Sequence, residues 1–211
     1  LLLRLTHLSD IYVKVIIKMF KIGLDIGSTT AKIVVIDEND KIIFSRYRRH
    51  NTQMMDVVLS YLNELESIIG NEKVSLNVSG SVGMGLAELY DFPFIQEVVA
   101  ASKTIQRHYP IAQTMIDIGG EDAKIVFFKN GNADELRMNG NCAGGTGAFI
   151  DQMAILLGIS TEELNDLALK SNQIYPIASR CGVFCKTDIQ NLIAKNVSRE
   201  DIAASIFHAV A

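Results

Sequence analysis

Asp25 and Asp117 each stand at the end of an alternating apolar run and open the same phrase, Asp-Ile-Gly, followed by a polar turn and Ala-Lys-Ile-Val. The decapeptides Asp25–Val34 and Asp117–Val126 are identical at seven of ten positions and lie 92 residues apart. Glycine at such a turn removes the Cβ and lets backbone N–H groups approach an anion closely; Ser28, Thr29 and Thr30 add hydroxyl donors in the first copy. An aspartate beside a polyphosphate is repelled by it unless a cation intervenes, so Asp25 and Asp117 read as Mg2+ shell residues, direct or through water. Ordinary turn formation accounts for one such hairpin, but it does not account for repetition of the whole pattern, polar tip included. Gly27, Lys32, Gly119, Gly120 and Asp122 complete the candidate phosphate-binding set, and Glu121 is placed to orient water or metal.

A second chemistry lies in the cysteines. Asn139–Phe149 (NGNCAGGTGAF) sets Cys142 before a glycine-rich turn, Gly144, Gly145, Thr146 and Gly147, that opens a helix. In ASRCGVFCKTDIQNL, Cys181 again precedes a helix, 39 residues later. A thiolate at a helix N-terminus is stabilised by orphan N–H groups and the macrodipole. Two thiolates per chain make half of a four-cysteine ligand set, which a symmetric partner would complete for a [4Fe-4S] cluster or for zinc. Cys185 shares a helical face with Cys181 and is assigned to packing.

These residues need elements to hold them. Ile22, Leu24 and Ile26 predict the first strand, Lys41–Arg48 a third, and Val74–Val78 a short buried one. Apolar residues at 55, 58, 62, 65 and 69 predict one face of a helix over Met54–Ile69, stopped at Gly70-Asn71. Ser79–Gly85 is a glycine-rich turn into another helix, and Gln96–His108 a helix linking two halves. The second half repeats strand, strand (Ala123–Phe128), a turn at Lys129–Asn132, and strand (Glu135–Met138). Helices follow: Gly147–Leu157 with Gly158 as stop, one from Ser160 with Glu163 closing a capping box, and one from Ser198 with Asp201 in the same role. Strands alternating with helices imply an α/β layer.

Composition narrows the class. The chain has 211 residues, 48% of them apolar, and a net charge of −4 without a dense basic stretch beyond Arg46–Arg49, so it carries no footprint for nucleic acid. Three cysteines do not make a disulfide framework and point to a reducing compartment, the cytoplasm. Residues 1–18 are apolar but broken by Arg4, His7, Asp10 and Lys14; they read as an extension ahead of Met19 and not as a membrane span. The four histidines, at 7, 50, 108 and 208, show no ligand spacing and are expected on the surface. Neither a Walker motif nor a strand-following GxGxxG occurs.

The paired hairpins resemble those of actin, the heat-shock chaperone ATPases and the sugar kinases, whose two duplicated ribonuclease-H-like domains hold ATP in the cleft between them. That resemblance implies domains at residues 19–112 and 113–211, the second lacking its last strands. More specifically, GLDIGSTTAK, DIGGEDAK, MNGNCAGGTGAFIDQMA and IASRCGVFCKTDIQ resemble the BadF/BadG/BcrA/BcrD ATPase family, in particular activators of 2-hydroxyacyl-CoA dehydratases, over nearly the whole chain after Met19. The resemblance implies ATP-driven one-electron transfer from a [4Fe-4S] cluster to the dehydratase or a benzoyl-CoA-reductase-like partner, with reduced ferredoxin or flavodoxin as electron source. By position the cluster ligands are Cys142 and Cys181, with two more from a second protomer or from a tandem module of a long-form chain. The phosphate hairpins map to Asp25–Thr30 and Asp117–Asp122, and the connecting turn to Gly144–Gly147.

Two other functions use the same residues. A small-molecule kinase of the superfamily would employ Asp117 or Glu121 as base toward an acceptor hydroxyl and leave the thiols idle. A regulatory module would let nucleotide merely set a conformation.

Overall fold

Alternating burial along Phe20, Ile22, Leu24 and Ile26 puts one face of the first strand into a core and leaves Lys21 and Gly23 exposed. The computed structural model describes residues 19–139, 144–179 and 181–211. The chain divides at Ile95/Gln96 into two units.

In the first unit β1 (Met19–Ile26), β2 (Thr30–Ile36) and β3 (Ile42–Arg49) form an antiparallel meander. After α1 (Met54–Ile69), β4 (Lys73–Ser79) returns parallel to β1, giving the order β3-β2-β1-β4. α2 (Gly83–Tyr90) follows. The limits of α1 are those the sequence predicts, and Gly70 caps it at φ +60°. Its buried stripe differs: Val58, Tyr61 and Leu65 face the sheet while Met55 and Leu62 are 40% exposed. The amphipathic Tyr61 moves the stripe, burying its ring while its hydroxyl donates to the Ala31 carbonyl at 3.1 Å.

In the second unit α3 (Glu97–His108) precedes a meander of β5 (Thr114–Ile118), β6 (Ala123–Lys129) and β7 (Asn132–Asn139). α3 lies within this second unit, where its Glu97 bonds Lys124 of β6. Asn130 (φ 51°) and Gly131 (φ 77°) form a tight two-residue turn, which lets β7 pair from Asn132 onward, longer than predicted. The register slips at Val35/Ile36 in β2 and at Phe127/Phe128 in β6, the same two positions of the 92-residue repeat. α4 (Gly147–Leu157), α5 (Thr161–Ala168), α6 (Gly182–Ala194) and α7 (Arg199–Val210) pack Met153, Leu164, Ile189, Ile202 and Ile206 into a separate helical core. Gly158 ends α4 in the left-handed region, and the Ser160–Glu163 capping box is present. At α7 the expected box is one-sided. Ser198 caps the Asp201 N–H, but the Asp201 carboxylate instead accepts from the N–H groups of Asn172 (2.8 Å) and Gln173 (2.9 Å).

Candidate functional site

Antiparallel pairing sets Asp25 opposite Lys32, and the Lys32 Nζ lies 2.8 Å from Asp25 Oδ2. The other carboxylate oxygen, Oδ1, is buried without a hydrogen-bond partner. The turn between them is closed by the Gly27 N–H donating to the Thr30 carbonyl at 3.0 Å, which leaves Gly27, Ser28, Thr29 and Thr30 half-buried at the tip. His50 braces this turn from the end of β3. Its backbone N–H donates to the Thr29 carbonyl at 3.1 Å and its ring Nε2 lies 3.0 Å from the Gly27 carbonyl. It is 6% exposed, which corrects the expectation of a surface histidine. No spacing signal reveals it, because its role comes from strand pairing.

The second hairpin repeats the backbone and changes the side-chain pairing. The Gly119 N–H donates to the Asp122 carbonyl at 2.8 Å, the counterpart of Gly27 and Thr30. Asp117 faces Lys124 in register, yet the Lys124 Nζ binds Asp122 at 2.8 Å and Glu97 at 3.2 Å. Burial disfavours the Lys124 charge, but the hydrogen bonds and charges of Asp122 and Glu97 outweigh it and hold its pKa above the usual lysine value. Asp117 is half-buried with no ion-pair partner among the described residues, and Glu121 is exposed at the tip.

The glycine turn before α4 packs onto this hairpin. The N–H groups of Gly147 and Ala148 donate to the carbonyls of Gly119 (2.8 Å) and Gly120 (2.9 Å). A Cβ at Gly147 would sit 3.1 Å from the Gly119 carbonyl oxygen, so the glycine permits the approach. Thr146 is fully buried and caps α4 through Phe149 N, and Gly145 takes φ +80°. The structure thus joins Gly119, Gly120 and Gly147, residues far apart in sequence.

Cys142 lies outside the described residues. Cys181 is the half-buried N-cap of α6, followed by Val183 and Phe184, 72% and 66% exposed. Cys185, one turn on, is sealed in the helical core, its thiol pushed up to about 11 by burial and by the Asp188 charge. Among the described residues no three His, Cys, Asp or Glu side chains converge as a metal site. Nor is any described helix long and apolar enough to cross a membrane.

Strand-end carboxylates before glycine turns, in a mixed α/β frame, define an ATPase-type protein. The family model for the BadF/BadG/BcrA/BcrD ATPases matches residues 22–211, and the chain belongs to that family. A 2-hydroxyisocaproyl-CoA dehydratase activator of Clostridioides difficile is 31% identical over 195 residues, 92% of this chain and 73% of the relative. The solved activator of the 2-hydroxyisocaproyl-CoA dehydratase from Clostridium difficile with bound ADPNP superposes with a TM-score of 0.79 at 29% identity, covering 91% of this chain and 72% of that one. Component A of the (R)-2-hydroxyglutaryl-CoA dehydratase of Acidaminococcus fermentans superposes at 0.81 with 26% identity, covering 91% and 74%. These similarities do not favour the small-molecule kinase.

Proposed function

We propose that this chain is an ATP-dependent activator that hydrolyses ATP to drive one-electron transfer to a 2-hydroxyacyl-CoA dehydratase or a related benzoyl-CoA-reductase-like enzyme. The observation that carries this reading is the placement of Cys181, half-buried at a helix N-cap beside exposed Val183 and Phe184, while Cys185 is sealed away. An apolar exposed rim around one accessible thiol suits a ligand that a second surface must complete.

In this reading the units are duplicated ribonuclease-H-like domains, each carrying one phosphate hairpin. The N–H groups of Ser28 and Thr29 and the hydroxyls of Ser28, Thr29 and Thr30 bind phosphate oxygens, as does the N–H of Gly120, while the N–H groups of Gly27 and Gly119 close their turns and Gly147 buttresses the second one. Mg2+ fits the first hairpin: Asp25 Oδ1 is an orphaned hard oxygen, while Lys32 neutralises Oδ2 and adds a cation for phosphate. Asp117 or Glu121 holds the attacking water and takes its proton as the water oxygen bonds to the γ-phosphorus and ADP departs with the bridging oxygen. Asp122 stays bound to Lys124 and shapes the turn.

Cys142 and Cys181 supply two thiolates, and a homodimeric partner or tandem module supplies two more. A [4Fe-4S] cluster, when bound, provides a one-electron carrier. Reduced ferredoxin or flavodoxin is the proposed electron source. Anaerobic reconstitution with iron and sulfide is expected to give broad visible absorption that Cys142→Ala and Cys181→Ala each abolish. A colourless protein that hydrolyses ATP would leave the electron-transfer half of the proposal without support.

A further inference from the structure

We infer that Ser79 is a positioning residue beside the first hairpin, forming with Asp25 a buried polar subsite for a Mg2+-bound water of the nucleotide complex. The inference rests on the nucleotide half of the proposed function and extends it to a residue on a different strand. β1 and β4 run parallel, and Ser79 is the register partner of Asp25 at their carboxyl ends. In open α/β sheets ligands gather beyond such ends.

Asp25 Oδ1 and Ser79 Oγ are the two buried side-chain atoms without a hydrogen-bond partner among the described residues, and they lie on neighbouring strands at one level. Native folds pair the great majority of buried polar atoms, so two orphans on partnered residues point to a missing third participant. One is an acceptor and the other a hydroxyl that both donates and accepts, the set that holds a water polarised by a cation. Lys32 cannot fill this role, because its ammonium bonds the opposite carboxylate oxygen.

The backbone after Ser79 passes close to Asp25 and Ile26. Gly80 takes φ +91°, and a Cβ there would fall 2.2 Å from the Ile26 carbonyl oxygen and 2.6 Å from Asp25 Oδ1. The next turn is tied to the same strand by the Val82 N–H donating to the Ile26 carbonyl at 3.0 Å. Ser79 is 9% exposed and its Oγ is buried, so the hydroxyl is shielded from bulk water.

The test measures binding of the non-hydrolysable analogue ADPNP to the full chain by calorimetry, with Mg2+ and with EDTA, for wild type, Ser79→Ala and Ser79→Thr. Wild type is expected to bind tighter with Mg2+. Ser79→Ala should lose on the order of tenfold of that metal-dependent gain, the size of one hydrogen bond to a charged assembly, with little change in EDTA. Ser79→Thr, which keeps the hydroxyl, should recover it. A Ser79→Ala protein with an unaltered Mg2+ gain overturns the inference while leaving the nucleotide site standing. A wild type blind to ADPNP overturns both. Should the alanine variant not fold, Mn2+ in place of Mg2+ is expected to broaden the wild-type amide NMR signals of Ser79 and Gly80 only when ADPNP is present; unbroadened signals refute the subsite.

Discussion

The ring of His50 and the carbonyl of Gly27 meet at 3.0 Å, although 23 residues separate them in the chain. The ring's Nδ1 accepts the Thr52 N–H at 3.3 Å, so the tautomer with the proton on Nε2 satisfies both contacts. Asn51 and Thr52 adopt φ of 46° and 68° to bring that N–H round, a strained pair the ring pins in place. His50→Ala is expected to lower stability by about 1 kcal/mol and weaken ADPNP binding several-fold by loosening the first turn. His50→Gln, whose amide nitrogen can reach the same carbonyl, should keep most of the binding. Calorimetry and urea unfolding on the three proteins check this, and equal affinities would show the brace to be irrelevant to the site.

Lys124 is the cation at the centre of the second hairpin, with its side chain 10% exposed between Asp122 and Glu97. Lys124→Met keeps the apolar stem and leaves two carboxylates facing each other, so a loss of about 2 kcal/mol is expected, less than the ~3–5 kcal/mol of breaking a fully buried pair because both acids retain some water. Glu97→Gln should cost less, since Asp122 still pairs the ammonium. The raised pKa gives a sign for alkali: this stabilisation is complete below the ordinary lysine value of 10.5 and is lost as pH climbs through the higher folded value. Urea midpoints of the variants at neutral pH and of wild type toward alkaline pH provide the measurement.

The repeat made the two aspartates and their glycine turns legible because a hairpin tip is a local structure, closed within four residues by one N–H···O bond in each copy. The same locality made α1, α4 and the Ser160–Glu163 box readable in advance. What the sequence hides is pairing at long range. Lys32 and Lys124 occupy equivalent repeat positions, yet only Lys32 bonds the strand-end aspartate, because Asp122, where the first copy has Thr30, and Glu97 of α3 together take the Lys124 ammonium. Asp201 looked like a capping residue until the 172–173 segment claimed its carboxylate. Ser79 shows in the sequence only as the start of a glycine-rich turn, and its place beside Asp25 follows from β4 returning beside β1.

Asp201 leads to an acid-side prediction. The N–H groups of Asn172 and Gln173, with help from Ser198, stabilise its carboxylate and hold its pKa below the ordinary 3.8. A depressed carboxyl contributes stability above its unfolded value that fades as pH falls through the folded one, so the tether weakens only below about pH 4. Asp201→Ala is expected to release the segment at neutral pH, seen as faster amide exchange at 172 and 173, whereas Asp201→Asn keeps one acceptor and should fall between. Exchange unchanged in the alanine variant would show that other contacts hold the segment.

Cys185 and Cys181 sit one turn apart on α6, and their surroundings predict opposite reactivity. The thiolate is the nucleophile, and a thiol held near pKa 11 has about one molecule in a thousand ionised at pH 8, behind a surface that is 1% exposed. Iodoacetamide on the native, cluster-free protein is therefore expected to modify the half-buried Cys181 and spare Cys185 until urea is added, with peptide mass mapping to separate the sites. The shift also acts on stability. Below the ordinary value of 9.0 both folded and unfolded thiols are protonated; between 9.0 and about 11 only the unfolded one ionises, so the fold weakens as pH rises through that window. The loss is roughly 2–3 kcal/mol at most. Cys185→Ala removes the titration at the cost of a small cavity: its stability should be lower at pH 7 and fall less steeply from pH 9 upward than that of wild type. Parallel pH profiles for the two proteins, or labelling of Cys185 as fast as Cys181 in the native state, would refute a sealed thiol and reopen Cys185 as a ligand.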